Sequence, residues 1–500
     1  MTTMEADLAA YPISEAAVRL LERPFFGHFI EGREVGSASG ETFAVYDPSS
    51  GKQVASAALA GAEDVERAVI SARNAFDDGR WRNVAPLQKE RVLRRLSQLI
   101  SDHATEIGEL DVIDSGIIRG YAGFITGFAI DGVDYYSGWP SKIQGGIPSV
   151  PGDIAVYTVR EPIGVVGLVM PWNGPSAVVV MVAAALATGC SVVLKPAEQT
   201  PMSAVVMAGL AVEAGLPPGV FNVLQGNGAV AGAGLVAHRA VDKVSFTGSV
   251  DTGRRISAAA AQRVKRVTME LGGKSAHIVF ADADLDFAAA ATAGAVWNNS
   301  GQVCTAGSRV LVQRSVYDDV VNRMVESSRG IKIGGAFEEG TEMGPLISDQ
   351  QLSRVTEYVG IGQQEGAELL LGGSKVGSGG YFHEPTIFAG VDNGMRIAQE
   401  EIFGPVMSVI PFDDEDDAYR IANDTDFGLA AGVWTNDLSR AHRAYRALRA
   451  GTVWVNTYQE VNAAVPYGGV KQSGHGKTLG SESLEAYLTT KSVWIKVRPS

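Results

Sequence analysis

Cys304 is one of two cysteines in a chain of 500 residues, and it stands in Gly301-Gln302-Val303-Cys304-Thr305-Ala306-Gly307-Ser308-Arg309. Upstream, Met269-Glu270-Leu271-Gly272-Gly273-Lys274 sets a carboxylate between apolar residues and a glycine pair. A thiolate attacks electrophilic carbon, and a carboxylate with apolar neighbours is a candidate general base. Together they imply covalent chemistry on a small electrophile. A lone cysteine is otherwise a small buried hydrophobe, so the reading depends on the company Cys304 keeps.

The elements that must position these groups follow an α/β pattern. Apolar strands are predicted at 163–170, 191–195, 220–224, 243–247 and 266–270, with helices at about 176–188, 201–214, 228–237 and 250–263. Such alternation with short turns gives a parallel sheet with right-handed crossovers. Ligands on these sheets bind beyond the carboxyl ends of the strands, which here carry Asn173, Lys195, Gly226, Gly248 and Glu270. A second α/β run follows, with strands near 276–280, 309–313, 406–411, 430–434 and 452–456 and helices near 316–328, 350–364 and 437–449. Ahead of both, Val65, Ala68, Val69, Ala72 and Phe76 mark one amphipathic helix. Val92, Leu93, Leu96, Leu99 and Ile100 mark another, so the first third is largely helical after a strand-like Phe43 to Tyr46. Gly138 to Asp153 is rich in Pro, Gly and Ser and marks a boundary or excursion. Thr489 to Val497 reads as a lone strand that must pair with something, a partner subunit being one candidate.

Composition narrows the function. A net charge of −14 disfavours nucleic acid as a partner. Two cysteines cannot build a disulfide framework, which fits a reducing compartment. The seven histidines lack ligand spacing, so no metal is expected. Met1 to Leu21 carries Glu5, Asp7 and Glu15 and does not read as a signal peptide. Gly174 to Leu194 is uncharged, but Pro175 and the Thr188-Gly189 break divide it into a buried helix and a buried strand rather than a membrane span. The expectation is a soluble, cytoplasmic protein without a membrane partner.

Three strand ends carry further chemistry, each with a plainer alternative. Phe246-Thr247-Gly248-Ser249 opens a helix containing Gly253, and a glycine there lets backbone N–H groups approach a pyrophosphate; a tight turn would look the same. Lys195-Pro196-Ala197-Glu198 places a cation and a carboxylate where they could hold ribose hydroxyls, or could simply be solvated. Pro171-Trp172-Asn173 offers a neutral amide donor for an oxyanion, or a turn-forming asparagine.

Taken in order, these stretches resemble the aldehyde dehydrogenase superfamily over about residues 25–497. The likeness extends through Lys195-Pro196-Ala197-Glu198-Gln199-Thr200-Pro201, Glu270-Leu271-Gly272-Gly273-Lys274 and Gly301-Gln302-Val303-Cys304. It continues in Glu400-Glu401-Ile402-Phe403-Gly404-Pro405, in Asn423 with Phe427-Gly428-Leu429, and in Pro466-Tyr467-Gly468-Gly469-Val470-Lys471-Gln472-Ser473-Gly474. The resemblance implies a Rossmann-like parallel-sheet NAD domain (1–141 and 161–271), a second α/β catalytic domain (272–484) and a small β oligomerisation excursion (142–160 and 485–500). It implies oxidation of an aldehyde to a carboxylic acid, with Cys304 as nucleophile, Asn173 and the Cys304 backbone N–H as oxyanion donors, and Glu270 as the activator of the deacylating water. Lys195 and Glu198 would hold the adenosine ribose, Ser249 the pyrophosphate, Glu401 the nicotinamide ribose and Phe403 the nicotinamide ring. Trp172, Gly248, Gly253 and Leu271 would complete the cofactor contacts. NAD is the expected cofactor, with NADP a weaker alternative, and a homodimer or homotetramer the expected assembly.

The chain also departs from the family pattern. Gly174 replaces a bulky residue, and Val461 stands where an aromatic is common. With Met181, Val303, Thr305 and Tyr467 they should line a wide apolar tunnel for a bulky aromatic or long aliphatic aldehyde. His475 and Lys477 are unusual in the last glycine motif. A CoA-acylating semialdehyde dehydrogenase of the same fold is disfavoured because such enzymes generally lack the glutamate found here as Glu270. A non-catalytic structural paralogue would be expected to lose Cys304 or Glu270.

Overall fold

The computed structural model describes residues 11–496. The first ten residues of the N-terminal stretch and Val497, the expected end of the last strand, lie outside the described residues. Two parallel-centred sheets organise the chain. The first runs in the order Arg33–Val35, His28–Ile30, Phe221–Val223, Ser191–Lys195, Val165–Val169, Lys243–Thr247, Arg266–Glu270 and Gly474–His475. Its five central strands are parallel, and its edges are antiparallel. The order reverses between Val165–Val169 and Lys243–Thr247, which makes their carboxyl ends the topological switch point.

The second sheet runs Glu368–Leu371, Thr386–Ala389, Val406–Phe412, Arg309–Gln313, Ala276–Val279, Ala430–Trp434 and Thr452–Val455. It is parallel except for the Glu368–Leu371 edge. Strands covered by helices on both faces need no polar alternation, and every residue of Ser191–Lys195, Val165–Val169 and Ala430–Trp434 is buried.

The uncharged stretch resolves as the sequence suggested. Helix Val179–Thr188 is buried nearly all round and stops at Gly189, whose φ of 95° is the left-handed cap that glycine adopts most readily. Among the described residues no helix is long and apolar enough to cross a membrane. Against it packs helix Arg119–Ser137, and contact is close because a Cβ at Gly132 would come within 2.5 Å of the Val180 side chain. The sequence reading took the first third as largely helical, and Ala62–Asp77, Pro86–Asp102, Ala104–Ser115 and Arg119–Ser137 fill it. It missed the short hairpin His28–Ile30/Arg33–Val35 and most of the ribbon Thr42–Asp47/Lys52–Ala58.

The terminal strand finds its partner inside the chain. Leu488–Lys496 pairs antiparallel with Ile154–Pro162 along its full length. Trp494 and Ile495 on this ribbon are 61% and 47% exposed.

Candidate active site

The switch point opens onto a cleft of about 900 Å³ between the two sheets. Trp172 and Asn173 enter it from the end of Val165–Val169, Gly248 and Ser249 from Lys243–Thr247, and Glu270 and Leu271 from Arg266–Glu270. The second α/β run supplies Cys304, Glu401 and Phe403. Residues far apart in sequence thus converge: the first sheet presents the carboxyl ends of its strands, and the second contributes the loops that precede Arg309–Gln313 and Val406–Phe412.

Cys304 sits half-buried in a turn after Asn298–Gly301, where Asn299 and Ser300 take positive φ values of 48° and 55°. Its Sγ lies 3.2 Å from the Tyr467 hydroxyl. Burial pushes the thiol up to about 11; the Tyr467 hydroxyl and the Thr305 N–H work against this, and the charges of Glu401 and Glu270 work with it. Beside it, Asn173 Nδ2 donates to the Gln302 carbonyl at 2.9 Å, which ties the amide to the cysteine loop and orients it toward the thiol's surroundings.

Glu270 ends its strand only 5% exposed. Burial raises its carboxyl to about 8, opposed by the charge of Lys477 and the hydroxyl of Thr478. Thr478 Oγ1 donates weakly to Oε1 at 3.5 Å, while Oε2 has no hydrogen-bond partner among the described residues. A buried carboxyl with a free oxygen is poised to accept a proton from a water. Lys477, whose role the sequence left open, donates from Nζ to the Gly468 carbonyl at 2.5 Å and lowers the Glu270 pKa through space.

Around the rest of the cleft, Ser249 caps helix Val250–Ala261 by accepting from Thr252 N–H, so the helix N-terminus faces the opening. Arg254 and Arg255 line the same wall. Gly248 lies where a Cβ would strike the Phe246 ring at 2.5 Å. Gly253 is buried in the helix rather than in the cleft wall, and a Cβ there would meet Leu271 at 2.6 Å. Lys195, 2% exposed, donates to Glu198 Oε2 at 2.8 Å. Burial opposes ionisation of Glu198, but the Lys195 ammonium outweighs it and holds the carboxyl below its usual range. This pair lies outside the lining of the 900 Å³ cleft, on the next strand of the sheet.

Glu401 accepts from Gly273 N–H at 3.0 Å, and burial raises it to about 7. Any side chain at Gly272 would overlap the Glu401 carboxylate. Phe403 holds a positive φ of 62° and meets Trp172 edge-on, ring centroids 5.3 Å apart. Gln351 and Arg354 fix this segment by donating to the carbonyls of Glu401, Ile402 and Phe403.

The residues expected to line a tunnel are dispersed. Val303 and Thr305 flank Cys304, and the Thr305 carbonyl accepts from the Tyr458 hydroxyl at 2.8 Å. A Cβ at Gly174 would sit 3.7 Å from Ile125 and 3.8 Å from Ala177, ordinary van der Waals contact. Met181 and Val461 pack partly against the core beneath the first sheet, as does the ring of Tyr467. The sequence reading missed Tyr121 and Ile125 from helix Arg119–Ser137, Gln351 and Arg354 from Asp349–Gln364, and Thr478. Tyr121 feels the charge of Cys304 directly. No local spacing marks these residues, since tertiary packing alone brings Tyr121 near the thiol, Ile125 to Gly174, Gln351 and Arg354 to the 401–403 carbonyls and Thr478 to Glu270.

A doubly wound sheet whose switch point opens on a cleft holding a thiol, an amide and two perturbed carboxylates defines an oxidoreductase of the nucleotide-binding kind. Comparison with known proteins makes the class specific. Residues 35–493 match the model of the aldehyde dehydrogenase family, and the chain belongs to that family. It is 42% identical to human retinal dehydrogenase 2, across 95% of this chain and 93% of that protein. An NAD+ complex of aldehyde dehydrogenase from Bacillus cereus superimposes with a TM-score of 0.96 at 42% identity, covering 98% of this chain and all of that one. An indole-3-acetaldehyde dehydrogenase complexed with NAD+ gives a TM-score of 0.93 at 42% identity over 96% and 98% of the two chains.

Proposed function

We propose that the protein oxidises a bulky aromatic or long aliphatic aldehyde to its carboxylic acid, with NAD as cofactor and Cys304 as covalent nucleophile. The observation that carries this reading is the meeting in one cleft of the Cys304 thiol, the Asn173 amide and a buried Glu270 with a free Oε2. The cleft fits a dinucleotide: it offers a helix N-terminus with two arginines for a pyrophosphate, the Lys195–Glu198 pair beside it for a ribose, and Glu401 with the Trp172–Phe403 corner for the far end.

Cys304 attacks the aldehyde carbon as a thiolate, forming a C–S bond while the carbonyl oxygen gains negative charge. Asn173 Nδ2 and the Cys304 N–H donate to that oxygen. NAD, when bound, supplies the hydride acceptor that turns the thiohemiacetal into a thioester. Glu270 then removes a proton from water, whose oxygen attacks the thioester carbon; the C–S bond breaks and the acid leaves. Two similar proteins carry names for large aldehydes, retinal and indole-3-acetaldehyde, and the absence of a side chain at Gly174 supports the same preference here. Two separate sheets and the ribbon Ile154–Pro162/Leu488–Lys496 support the proposed partition, with Gly474–His475 returning from the 272–484 segment to the edge of the first sheet, and the exposed Trp494 and Ile495 of the ribbon are suited to joining subunits into a homodimer or homotetramer.

Following NADH at 340 nm with a panel of aldehydes, with and without CoA, tests the reading. Turnover independent of CoA, with the highest kcat/KM for bulky aldehydes, is expected. An absolute CoA requirement would assign the chain to acylating chemistry, and a preference for acetaldehyde would remove the substrate proposal.

A further inference from the structure

The geometry points to the Tyr467 hydroxyl as a catalytic hydrogen-bond donor to the Cys304 thiolate, a role distinct from that of its ring as a wall of the aldehyde site. The inference rests on Cys304 being the nucleophile. Its starting point is an electrostatic problem. The ionisable groups around Cys304 are Glu270 from the end of Arg266–Glu270, Glu401 from the 400–405 loop, Tyr121 from helix Arg119–Ser137, and Tyr458 and Tyr467 from the segment after Thr452–Val455. Two are carboxylates and three are phenols. Among the described residues no cation belongs to this set; Lys477 acts on Glu270 and donates to the Gly468 carbonyl, and Lys274 acts on Glu401.

A thiolate formed here therefore lacks the cationic partner that usually activates a reactive cysteine, and it needs neutral donors. Two are in place: the Thr305 N–H and the Tyr467 O–H, whose oxygen lies 3.2 Å from Sγ. The Tyr467 phenol is held well above its ordinary pKa by burial and by the neighbouring negative charges, so it keeps its proton while the thiol loses one. Against a thiolate it can only donate. Its position is rigid, because Tyr467 N–H donates to the Thr478 carbonyl at 2.7 Å and Thr478 N–H returns the bond at 2.8 Å. The same pairing brings the Thr478 hydroxyl to Glu270. One two-residue bridge thus supports both the nucleophile and the base.

Tyr467→Phe deletes the hydroxyl and keeps the ring, so packing is preserved. The measurement is the pH dependence of iodoacetamide alkylation at Cys304, read by peptide mass spectrometry in the full-length protein; Cys190 is fully buried and serves as internal reference. Losing a charge-assisted donor should move the inflection to higher pH and cut the thiolate fraction about tenfold below it. A more basic thiolate is intrinsically more nucleophilic, offsetting about a factor of three. The variant should therefore alkylate about threefold more slowly below the inflection, with the two profiles converging as pH approaches the native inflection. Thermal unfolding and NAD binding should be unchanged. Superimposable profiles, or a uniform change at all pH values, would overturn the role of the hydroxyl. Turnover surviving in Cys304→Ala would instead overturn the nucleophile reading, leaving the alkylation profiles as a property of the thiol alone.

Discussion

Glu270→Gln separates the two halves of the proposed reaction, and the structure sets its magnitude. The carboxyl is 5% exposed with a pKa raised to about 8. About one-tenth of molecules would carry the carboxylate at pH 7 and about nine-tenths at pH 9, so a base-limited deacylation should rise roughly tenfold across that interval. Glutamine preserves volume and can still accept from Thr478, but it cannot take a proton. Removing a positioned general base costs about 10²–10⁴-fold. The variant should give a burst of NADH equal to the enzyme sites and then a steady state at least about 100-fold slower, with the acyl adduct visible on Cys304 by mass spectrometry. The pH rise near 8 should vanish. Stability has the opposite sign. A carboxyl whose pKa is higher folded than unfolded stabilises fully below its unfolded value, and that contribution is lost as pH rises through about 8. Glu270→Gln should thus lose less stability than the native protein between pH 6 and about 9, measured by denaturant unfolding. Absence of a burst together with loss of acylation would show that Glu270 also activates the thiol; a native-like pH slope in the variant would refute its role as base.

Three further outcomes follow from the same geometry. Glu198, held ionised by Lys195, should repel a 2′-phosphate, so kcat/KM should favour NAD over NADP and Glu198→Gln should raise the NADP to NAD ratio roughly tenfold, about 1.4 kcal/mol; a native preference for NADP would contradict this. Gly174→Phe would fill the space beside Ile125 and displace two or three substrate methylenes at about 0.8 kcal/mol each. It should therefore lower kcat/KM for a bulky aldehyde roughly 30-fold more than for propanal, whereas equal losses would place the tunnel elsewhere. Gly468→Ala would drive a Cβ to 2.5 Å from Glu270 Oε1 at a backbone φ of 146°, so the steady state should fall while the NADH burst persists; a smaller burst with unchanged turnover would contradict that assignment.

Much of this arrangement was legible before any coordinates. Strands 191–195 and 309–313 read directly because helices cover both faces and leave the apolar runs Val192–Leu194 and Val310–Val312, whereas 243–247 and 266–270 read from alternating Val244 and Phe246, and Val267 and Met269. The ends of the first-sheet strands, with 163–170 among them, point to Asn173, Lys195, Gly248 and Glu270. Three-residue strands such as His28–Ile30 are too short for a period to register. Helix Arg119–Ser137 was visible as helical territory, but its approach to Cys304 depends on Gly132 fitting against Val180, a tertiary contact. For that reason Tyr121 and Ile125 were missed. Lys477 and Tyr467 were singled out by type, yet their bearing on Glu270 and Cys304 appears only once the Tyr467–Thr478 bridge is formed. The ribbon Ile154–Pro162/Leu488–Lys496 is half legible: residues alone show an unpaired last strand, the family likeness groups 485–500 with 142–160, and the antiparallel register appears only in the fold.

The claim on which the account depends is that the Cys304 thiol forms the covalent intermediate, and Cys304→Ala tests it most directly. Dehydrogenase turnover and acyl-adduct formation should both be lost, while NAD binding by calorimetry stays within about twofold of native, because the thiol acts only in bond-making steps. Cys190→Ala, changing a thiol buried between Thr188 and the Tyr487 carbonyl, should leave kcat/KM essentially intact. Appreciable turnover by Cys304→Ala, with NAD still bound, would contradict the covalent mechanism outright.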